Sequence, residues 1–192
     1  MVYHLKDTIS VLTPKTSIAV DTNILLWTFY DNISYIRNYQ KNIYPTFLEK
    51  TLMDKRNKIY TTILNIFEMF NIIEDTEYKI YLKLNNLSEK NFKKKDFRKI
   101  DVEKLKIKNK FKLLYNQISA SIKILDYNTN NLFLNDYMDN FEQHKYDIFD
   151  FSLVKCCIEY NISFILTDDS DFSTNSYLMN KLNIITANSN LN

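Results

Sequence analysis

The sequence predicts an α/β fold, with a mainly parallel sheet of four to five strands flanked by helices. Four short apolar runs, at residues 17–20, 58–61, 163–167 and 183–187, are typical of buried strands. Helical patterns separate these runs, and strands that alternate with helices indicate βαβ units. Four acidic segments also stand where a strand is expected to give way to a helix or loop.

The first two predicted strands are each followed by a helix and an acidic residue: Asp21 precedes the first of these helices, and Glu68 lies within the second. The first strand ends at Asp21, and a helical pattern begins directly after it. Pro45 is expected to lie in a loop, with a helix over residues 46–55 before the second strand. Apolar residues then recur at helical spacing from Ile63 to Ile73, and Glu68 lies within this helix.

Residues 76–145 predict an all-helical insertion inside one domain that spans residues 1–192. Apolar residues from Val102 to Leu125 are three and four positions apart, which indicates one long amphipathic helix. After the insertion, a helix is expected to begin at Asp150 and to lead into the third strand. A short helix around Tyr177 and Leu178 precedes the fourth strand.

Composition excludes several classes of function. The 192 residues contain no glycine, which excludes the P-loop and the dinucleotide-binding fingerprint, since both need glycine where the backbone approaches phosphate. Asparagine tolerates left-handed backbone geometry best after glycine, and Asn161, between a helix and a strand, is an expected case. No apolar run is long enough to cross a membrane. The N-terminus lacks the basic and then apolar pattern of a signal peptide. The chain has two cysteines, Cys156 and Cys157, which are expected to be buried free thiols. A cytoplasmic location is therefore expected.

Positive charge is concentrated in one segment. The whole chain has a net charge of +2, but residues 90–112 hold eleven basic and three acidic residues, so this segment carries +8 and the remainder −6. A basic segment beside an acidic body suits a polyanionic partner such as RNA. The expected RNA contacts are Lys93, Lys94, Lys95 and Arg98, although the same residues could simply solvate a helix.

Four acidic segments are the main functional signal of the chain. Asp21 and Asp169 each follow an apolar run, so both should lie at the carboxyl edge of the sheet, where open α/β sheets bind ligands. Carboxylates gathered there repel one another unless a cation lies between them, and oxygen ligands suit Mg²⁺ or Mn²⁺. Each carboxylate also has an ordinary explanation: Asp150 could cap a helix, and Asp169 could belong to an acidic loop.

In these four segments the chain resembles the PIN-domain nucleases, the family that includes VapC-like ribonucleases. In chain order they are Val20-Asp21-Thr22-Asn23, the helix with Glu68, Asp150 with the helix after it, and Thr167-Asp168-Asp169-Ser170-Asp171-Phe172. The resemblance covers residues 17–75 and 146–190 and leaves the segment 76–145 unmatched. Cys156 and Cys157 stand where the family usually has small, alanine-like residues.

The resemblance implies an endoribonuclease that hydrolyses RNA phosphodiester bonds with two Mg²⁺ or Mn²⁺ ions. Two such ions can neutralise the phosphate and stabilise the attacking and leaving oxygens. The implied catalytic and metal-binding residues are Asp21, Glu68, Asp150 and Asp169, with Asp171 as an accessory. Asp147 remains an alternative to Asp150 as the third acidic ligand. The residues expected to orient these carboxylates by hydrogen bonds are Asn23, Asn65 and Thr167.

Other functions fit parts of the same pattern. A haloacid-dehalogenase-type phosphatase would have a second aspartate two residues after Asp21, where this chain has Asn23. A PIN-type module could bind nucleic acid or protein without catalysis, and residues 76–145 could act as a helical adaptor. His144 is interpreted as a surface residue. The RNA that is cut, an antitoxin partner and a homodimer remain open.

Overall fold

One parallel sheet organises the residues that the computed structural model describes, namely 1–5, 16–33, 36–54, 56–126, 130–143, 145–172 and 182–191. Its six strands are β1 (Val2–His4), β2 (Ser17–Val20), β3 (Lys58–Thr62), β4 (Lys123–Leu125), β5 (Phe164–Leu166) and β6 (Asn183–Thr186). They lie in the order β1-β6-β5-β2-β3-β4, and all neighbouring pairs are parallel. The predicted α/β class and parallel sheet are confirmed, but the sheet has more strands than the four to five expected.

The two strands that the sequence did not predict lie at the edges of the sheet. Strand β1 pairs with β6, and β4 pairs with β3. Each has only three residues, too few for an alternating pattern to stand out. Strand β4 was also hidden because Ile122 and Leu125 continue the helical spacing of the preceding residues, whereas the helix ends at Ser121. The sequence predicted one helix from Val102 to Leu125 inside an all-helical segment, residues 76–145. Both predictions are wrong at β4.

Seven α-helices connect the strands within the described residues. They are α1 (Thr22–Phe29), α2 (Asn38–Met53), α3 (Ile63–Leu84), α4 (Lys94–Phe97), α5 (Asp101–Ser121), α6 (Asn131–Asp139) and α7 (Ile148–Glu159). None of the helices in this part of the chain combines the length and the apolar character needed to cross a membrane. The predicted helix around Tyr177 and Leu178 and the predicted surface position of His144 lie outside the described residues.

Alternating side chains of the central strands divide the hydrophobic core into two layers. Ile18 and Val20 of β2 point to the layer formed with α1, α2, α3 and α5, whereas Ala19 points to the layer formed with α6 and α7. All three residues are at most 1% exposed, so β2 is covered on both faces. A parallel strand buried on both faces reads as a continuous apolar run, which explains why the sequence predicted it correctly.

Helix α2 begins earlier than predicted and includes Pro45 in its interior. An interior proline removes a backbone hydrogen bond and costs about 3 kcal/mol or more. Packing offsets this cost, because Tyr44, Phe47 and Leu48 beside the proline are all buried in the core. The prediction that Pro45 lies in a loop was wrong because tertiary packing outweighed local propensity.

Asparagine performs the structural role of the missing glycine at two helix ends. Asn86, just after α3, and Asn161, just after α7, have φ angles of 53° and 52°. After each, the chain closes with a bond typical of a left-handed cap: Leu87 N–H donates to Leu82 O, and Ile162 N–H donates to Cys157 O. The prediction for Asn161 is confirmed.

The strand order places a topological switch point between β2 and β5. From β2 the chain builds the sheet in one direction through β3 and β4, and it then returns to add β5 and β6 on the other side of β2. Val20 and Leu166, the last residues of the two strands, are paired neighbours. Open α/β sheets bind ligands beyond the carboxyl ends of the strands at such a point, so a ligand is expected beside the residues that follow β2 and β5.

Candidate functional site

Asp21 lies at the switch point and is buried, with only 2% of its surface exposed. Its N–H donates to Leu166 O at 3.1 Å, which continues the contact between the β2 and β5 segments. The hydroxyl of Thr167, which follows β5, donates to the Asp21 carboxylate at 2.8 Å. A charged group in this position depends on such hydrogen bonds, because burial removes it from water.

Glu68 reaches the same place from α3. Thr22, directly after Asp21, donates its hydroxyl to Glu68 Oε2 at 2.5 Å. Asn65, one turn before Glu68, donates from Nδ2 to the Thr22 hydroxyl at 2.8 Å. Thr62 caps α3 by accepting from the Asn65 N–H at 3.1 Å. These contacts fix the start of α3 against the start of α1 and bring the first two acidic segments together.

The third acidic segment contains two aspartates with different roles. Asp147 caps α7, since its Oδ1 accepts the N–H groups of Phe149 and Asp150 at 2.9 Å each. Asp150 lies in the first turn of α7, so the helix begins before the position predicted. Among the described residues, no hydrogen-bond donor reaches the carboxylate of Asp150. Asp150 therefore keeps both carboxylate oxygens for a ligand, whereas Asp147 keeps only Oδ2, so both residues remain candidates for the third acidic ligand.

The fourth segment is tied to the first through Thr167. The Thr167 hydroxyl that donates to Asp21 also accepts the N–H of Asp169 at 3.0 Å. Asp169 Oδ1 in turn accepts the N–H of Asp171 at 2.8 Å, in the short 3-10 turn Ser170–Phe172. Thr167 thus contacts both Asp21 and Asp169.

Burial and mutual repulsion raise the pKa values of the clustered carboxyl groups. The pKa of Asp21 rises to about 7, mainly through burial and further through repulsion by Glu68 and Asp169. The pKa of Asp150 rises to about 9, again mainly through burial, with repulsion from Asp21, Asp147, Asp169 and Glu68. Burial and neighbouring acids also raise the pKa values of Glu68 and Asp169. These carboxylates are therefore close enough to influence one another strongly.

The residues present fit a hard divalent cation by their chemistry. The donors are carboxylate oxygens, the preferred ligands of Mg²⁺ and Mn²⁺, and a cation would relieve their repulsion. Within the described ranges, no three acidic, histidine or cysteine side chains already stand in an arrangement that could hold a metal ion. Metal binding would therefore require these side chains to rearrange and to release the protons that their raised pKa values favour.

The three residues predicted to orient the carboxylates differ in position. Thr167 donates directly to Asp21, and Asn65 acts on Glu68 through Thr22. Asn23 is exposed and, in the described part of the chain, makes no hydrogen bond to a carboxylate. Thr22 takes the place expected of Asn23. The sequence offered one signal for it, a hydroxyl residue directly after the first aspartate at the start of a helix.

Asp168 lies beside the cluster but faces helix α2. Its carboxylate accepts hydrogen bonds from Tyr39 at 3.1 Å, from Gln40 Nε2 at 2.6 Å and from Tyr44. The hydroxyl of Tyr44 also accepts the N–H of Ala187, after β6, at 2.8 Å. This network anchors the loop that carries Asp169, and it was missed because the first half of α2 was not predicted to be helical.

The predicted RNA contacts divide into two groups. Arg98 donates twice to Glu74, at 2.7 and 2.6 Å, and Lys94 forms ion pairs with Glu74 at 3.0 Å and with Asp75 at 2.6 Å. These contacts, above all the hydrogen bond from Arg98, lower the pKa of Glu74 to about 2. Lys93 and Lys95 are exposed. Lys94 and Arg98 therefore hold α4 against α3, which leaves Lys93 and Lys95 more accessible to a ligand.

Fold and site together define an α/β protein with an acidic cluster at the switch point of a parallel sheet. Comparison of the chain with protein-family models and with curated protein sequences finds no match.

Proposed function

We propose that the protein is a Mg²⁺- or Mn²⁺-dependent endoribonuclease of the PIN type that hydrolyses RNA phosphodiester bonds. The observation that carries this proposal is the gathering of Asp21, Glu68, Asp150 and Asp169 at one edge of the sheet from four separate segments. Folding alone gains nothing from such an arrangement, because buried carboxylates that repel one another destabilise the native state. Carboxyl groups whose pKa values are raised by burial and by charged neighbours are found more often at functional sites than elsewhere.

These four residues would hold the metal ions, with Asp147 and Asp171 beside them. When bound, two divalent ions supply charge neutralisation for the phosphate and stabilise the attacking and leaving oxygens. The chain itself positions the ligands: Thr167 orients Asp21, Thr22 orients Glu68, and Asp147 fixes the helix turn that carries Asp150. Cation binding would also displace the protons that Asp21 and Asp150 retain near neutral pH.

RNA is favoured as substrate by the basic segment and by the resemblance to ribonucleases. Residues 90–112 carry +8 beside a body of −6, so an approaching polyanion is attracted to one side of the molecule. Lys93 and Lys95 are exposed and accessible to phosphate. The charges of Lys94 and Arg98 are balanced by Glu74 and Asp75, so these two residues hold α4 in place and add little net charge.

A cleavage panel tests the proposal. Labelled single-stranded RNA, structured RNA and DNA are incubated with the wild type in Mg²⁺, in Mn²⁺ and in EDTA. Asp21→Asn should reduce RNA cleavage at least about 100-fold, since the loss of an outer partner of a metal ligand alone costs about 10–100-fold. Asp139→Asn is a matched control, because Asp139 is exposed on α6 and the variant changes the net charge equally.

Two outcomes separate the proposal from its alternative. Metal-dependent cleavage of RNA that Asp21→Asn loses and Asp139→Asn keeps supports the nuclease. RNA binding without cleavage in either metal, unchanged in Asp21→Asn, would instead identify a non-catalytic PIN-type binding module.

A further inference from the structure

Helices α3, α4 and α5 enclose an open groove of about 390 Å³ at some distance from the carboxylate cluster. Its apolar lining consists mainly of aromatic rings, among them Phe70, Phe111 and Tyr115. The rings of Phe70 and Phe111 are 4.4 Å apart between centroids, and those of Phe111 and Tyr115 are 6.5 Å apart. Tyr115 is 39% exposed. The groove therefore offers a row of ring surfaces, one of which is open to solvent.

Basic side chains form the rim of this groove. Lys104, Lys108 and Lys112 line it from α5, and their spacing of four residues places them along one side of the helix. Lys104 is paired with Asp101 at 2.6 Å. Lys108 and Lys112 are exposed, and neither has an acidic partner within the described residues. The rim therefore presents two unneutralised positive charges above an aromatic lining.

The acidic residue of the groove does not cancel this charge. Glu74 also lines the groove, but its carboxylate receives two hydrogen bonds from Arg98 and an ion pair from Lys94. Because Lys94 is also paired with Asp75, these two cations and two carboxylates balance, and Glu74 does not neutralise Lys108 or Lys112. The groove as a whole is positive, so its ligand should be anionic and should also carry flat rings.

We propose that this groove binds a segment of single-stranded RNA, with bases stacked on Tyr115 and Phe111 and phosphates held by Lys108 and Lys112. Proteins that bind single strands combine these two elements, a positive groove for the backbone and aromatic side chains for the bases. The inference rests on RNA being the substrate of the proposed nuclease. It adds substrate contacts on α5 to those expected of Lys93 and Lys95.

Helix α3 connects the groove to the carboxylate cluster. Glu68 belongs to the cluster, while Phe70 and Glu74 belong to the groove. Glu74 lies six positions after Glu68, which corresponds to about 9 Å along the axis at about 1.5 Å per residue and to about 120° around it at about 100° per residue. A single strand in the groove would therefore pass around part of α3 before an adjoining phosphate reached the carboxylates.

Binding is measured without cleavage, so that the inference is separated from the proposed activity. Fluorescence anisotropy in EDTA follows a labelled decamer of RNA and an abasic strand of the same length and charge. Lys108→Gln/Lys112→Gln should weaken the binding of both strands. It should also reduce the slope of log affinity against log salt by about 1.4, since each neutralised phosphate contributes about 0.7 for single strands.

A matched double variant controls for net charge. Lys79 and Lys83 are exposed on α3, are also four residues apart, and do not line the groove. Lys79→Gln/Lys83→Gln removes the same charge and should leave affinity and salt slope almost unchanged. Equal effects of the two double variants would overturn the assignment, because the attraction would then be general and not local to the groove.

Tyr115→Leu tests the stacking. The variant keeps an apolar side chain but removes the ring, so affinity for the RNA decamer should fall about tenfold, within the range of about 1–3 kcal/mol per stacked base. Affinity for the abasic strand should not change. If the two strands responded alike, or if RNA binding were unaffected while an acidic peptide bound the groove, the inference would be wrong.

The results for the groove and for the nuclease are independent. Cleavage by the wild type together with unaltered RNA binding by all variants would refute only the groove. Binding that depends on the groove, without any cleavage, would refute only the nuclease.

Discussion

Replacing Asp150 by asparagine should stabilise the metal-free protein at neutral pH. Asp150 is surrounded by Asp21, Asp147, Asp169 and Glu68, and burial together with these neighbours raises its pKa to about 9 from the ordinary 3.8. A carboxyl group with a raised pKa binds its proton more tightly in the folded state than in the unfolded state. Its contribution to stability is therefore largest below about pH 4, declines as the pH rises, and is fully lost above about pH 9.

The size of the effect follows from the pKa difference. The ordinary pKa of the carboxyl group lies about three units below pH 7, so the group is ionised in the unfolded chain. In the folded protein its pKa is about 9, so it keeps its proton at pH 7. At about 1.36 kcal/mol per unit this penalty reaches about 4 kcal/mol, an upper limit because salt screens the repulsion. Asparagine is neutral at every pH and avoids the penalty. Even half of it, about 2 kcal/mol, raises the Tm by about 4–8 °C in a chain of this size.

Thermal unfolding in EDTA between pH 4.5 and 8 measures this difference. The Tm of Asp150→Asn should exceed that of the wild type by a margin that grows with pH and is smallest at the acid end. Asp139→Asn again provides the control, because Asp139 is exposed and outside the cluster. A variant no more stable than the wild type at pH 7, or a margin that did not depend on pH, would refute the assignment of Asp150 to a repulsive cluster.

Substitutions at three further positions test other parts of the structure. Thr167→Val removes the hydrogen bond that lowers the pKa of Asp21, so the Mn²⁺-induced rise in Tm should require a higher pH than in the wild type; an unshifted profile contradicts this. Arg98→Gln removes the main partner of Glu74, whose pKa is lowered to about 2. That interaction stabilises the fold above about pH 4.5 and is lost as the pH falls toward 2, so the variant should be less stable at pH 7 and approach the wild type in acid. Asn161→Ala should destabilise by about 1–2 kcal/mol in denaturant titration, because alanine keeps the β-carbon but lacks the polar side chain that lets asparagine tolerate left-handed geometry; Asn161→Gly should be nearly neutral, because it removes the β-carbon altogether.

The central part of the fold could be predicted from the sequence because its signals are local. Strand β2 is an apolar run directly before Asp21, and the helix with Glu68 has an unbroken apolar spacing. Edge strands β1 and β4 lack such signals, since their three residues depend on pairing with a neighbour. Helix α2 includes Pro45 because its buried face packs into the core, and such packing leaves no mark in the local sequence.

The candidate site shows the same division. Asp21 and Asp169 were placed at the sheet edge by the strands before them, and the structure puts both in contact with Thr167. The bond from Thr22 to Glu68 joins residues 46 positions apart, and the anchoring of Asp168 by α2 joins residues more than 120 apart. Contacts between distant positions depend on the folded topology, so one sequence without its fold does not reveal them.

The switch point between β2 and β5 has a consequence for the synthesis of the protein. The hydrogen bond from Thr167 to Asp21 joins residues 146 positions apart, and β5 must insert beside β2 before it can form. At a synthesis rate of about 5–20 residues per second, this interval takes about 7–30 s. During that time the growing chain carries the ligands of its first two acidic segments but cannot complete the site. The proposed nuclease would therefore stay inactive toward the messenger and the ribosome that are producing it until β5 had been made and paired with β2.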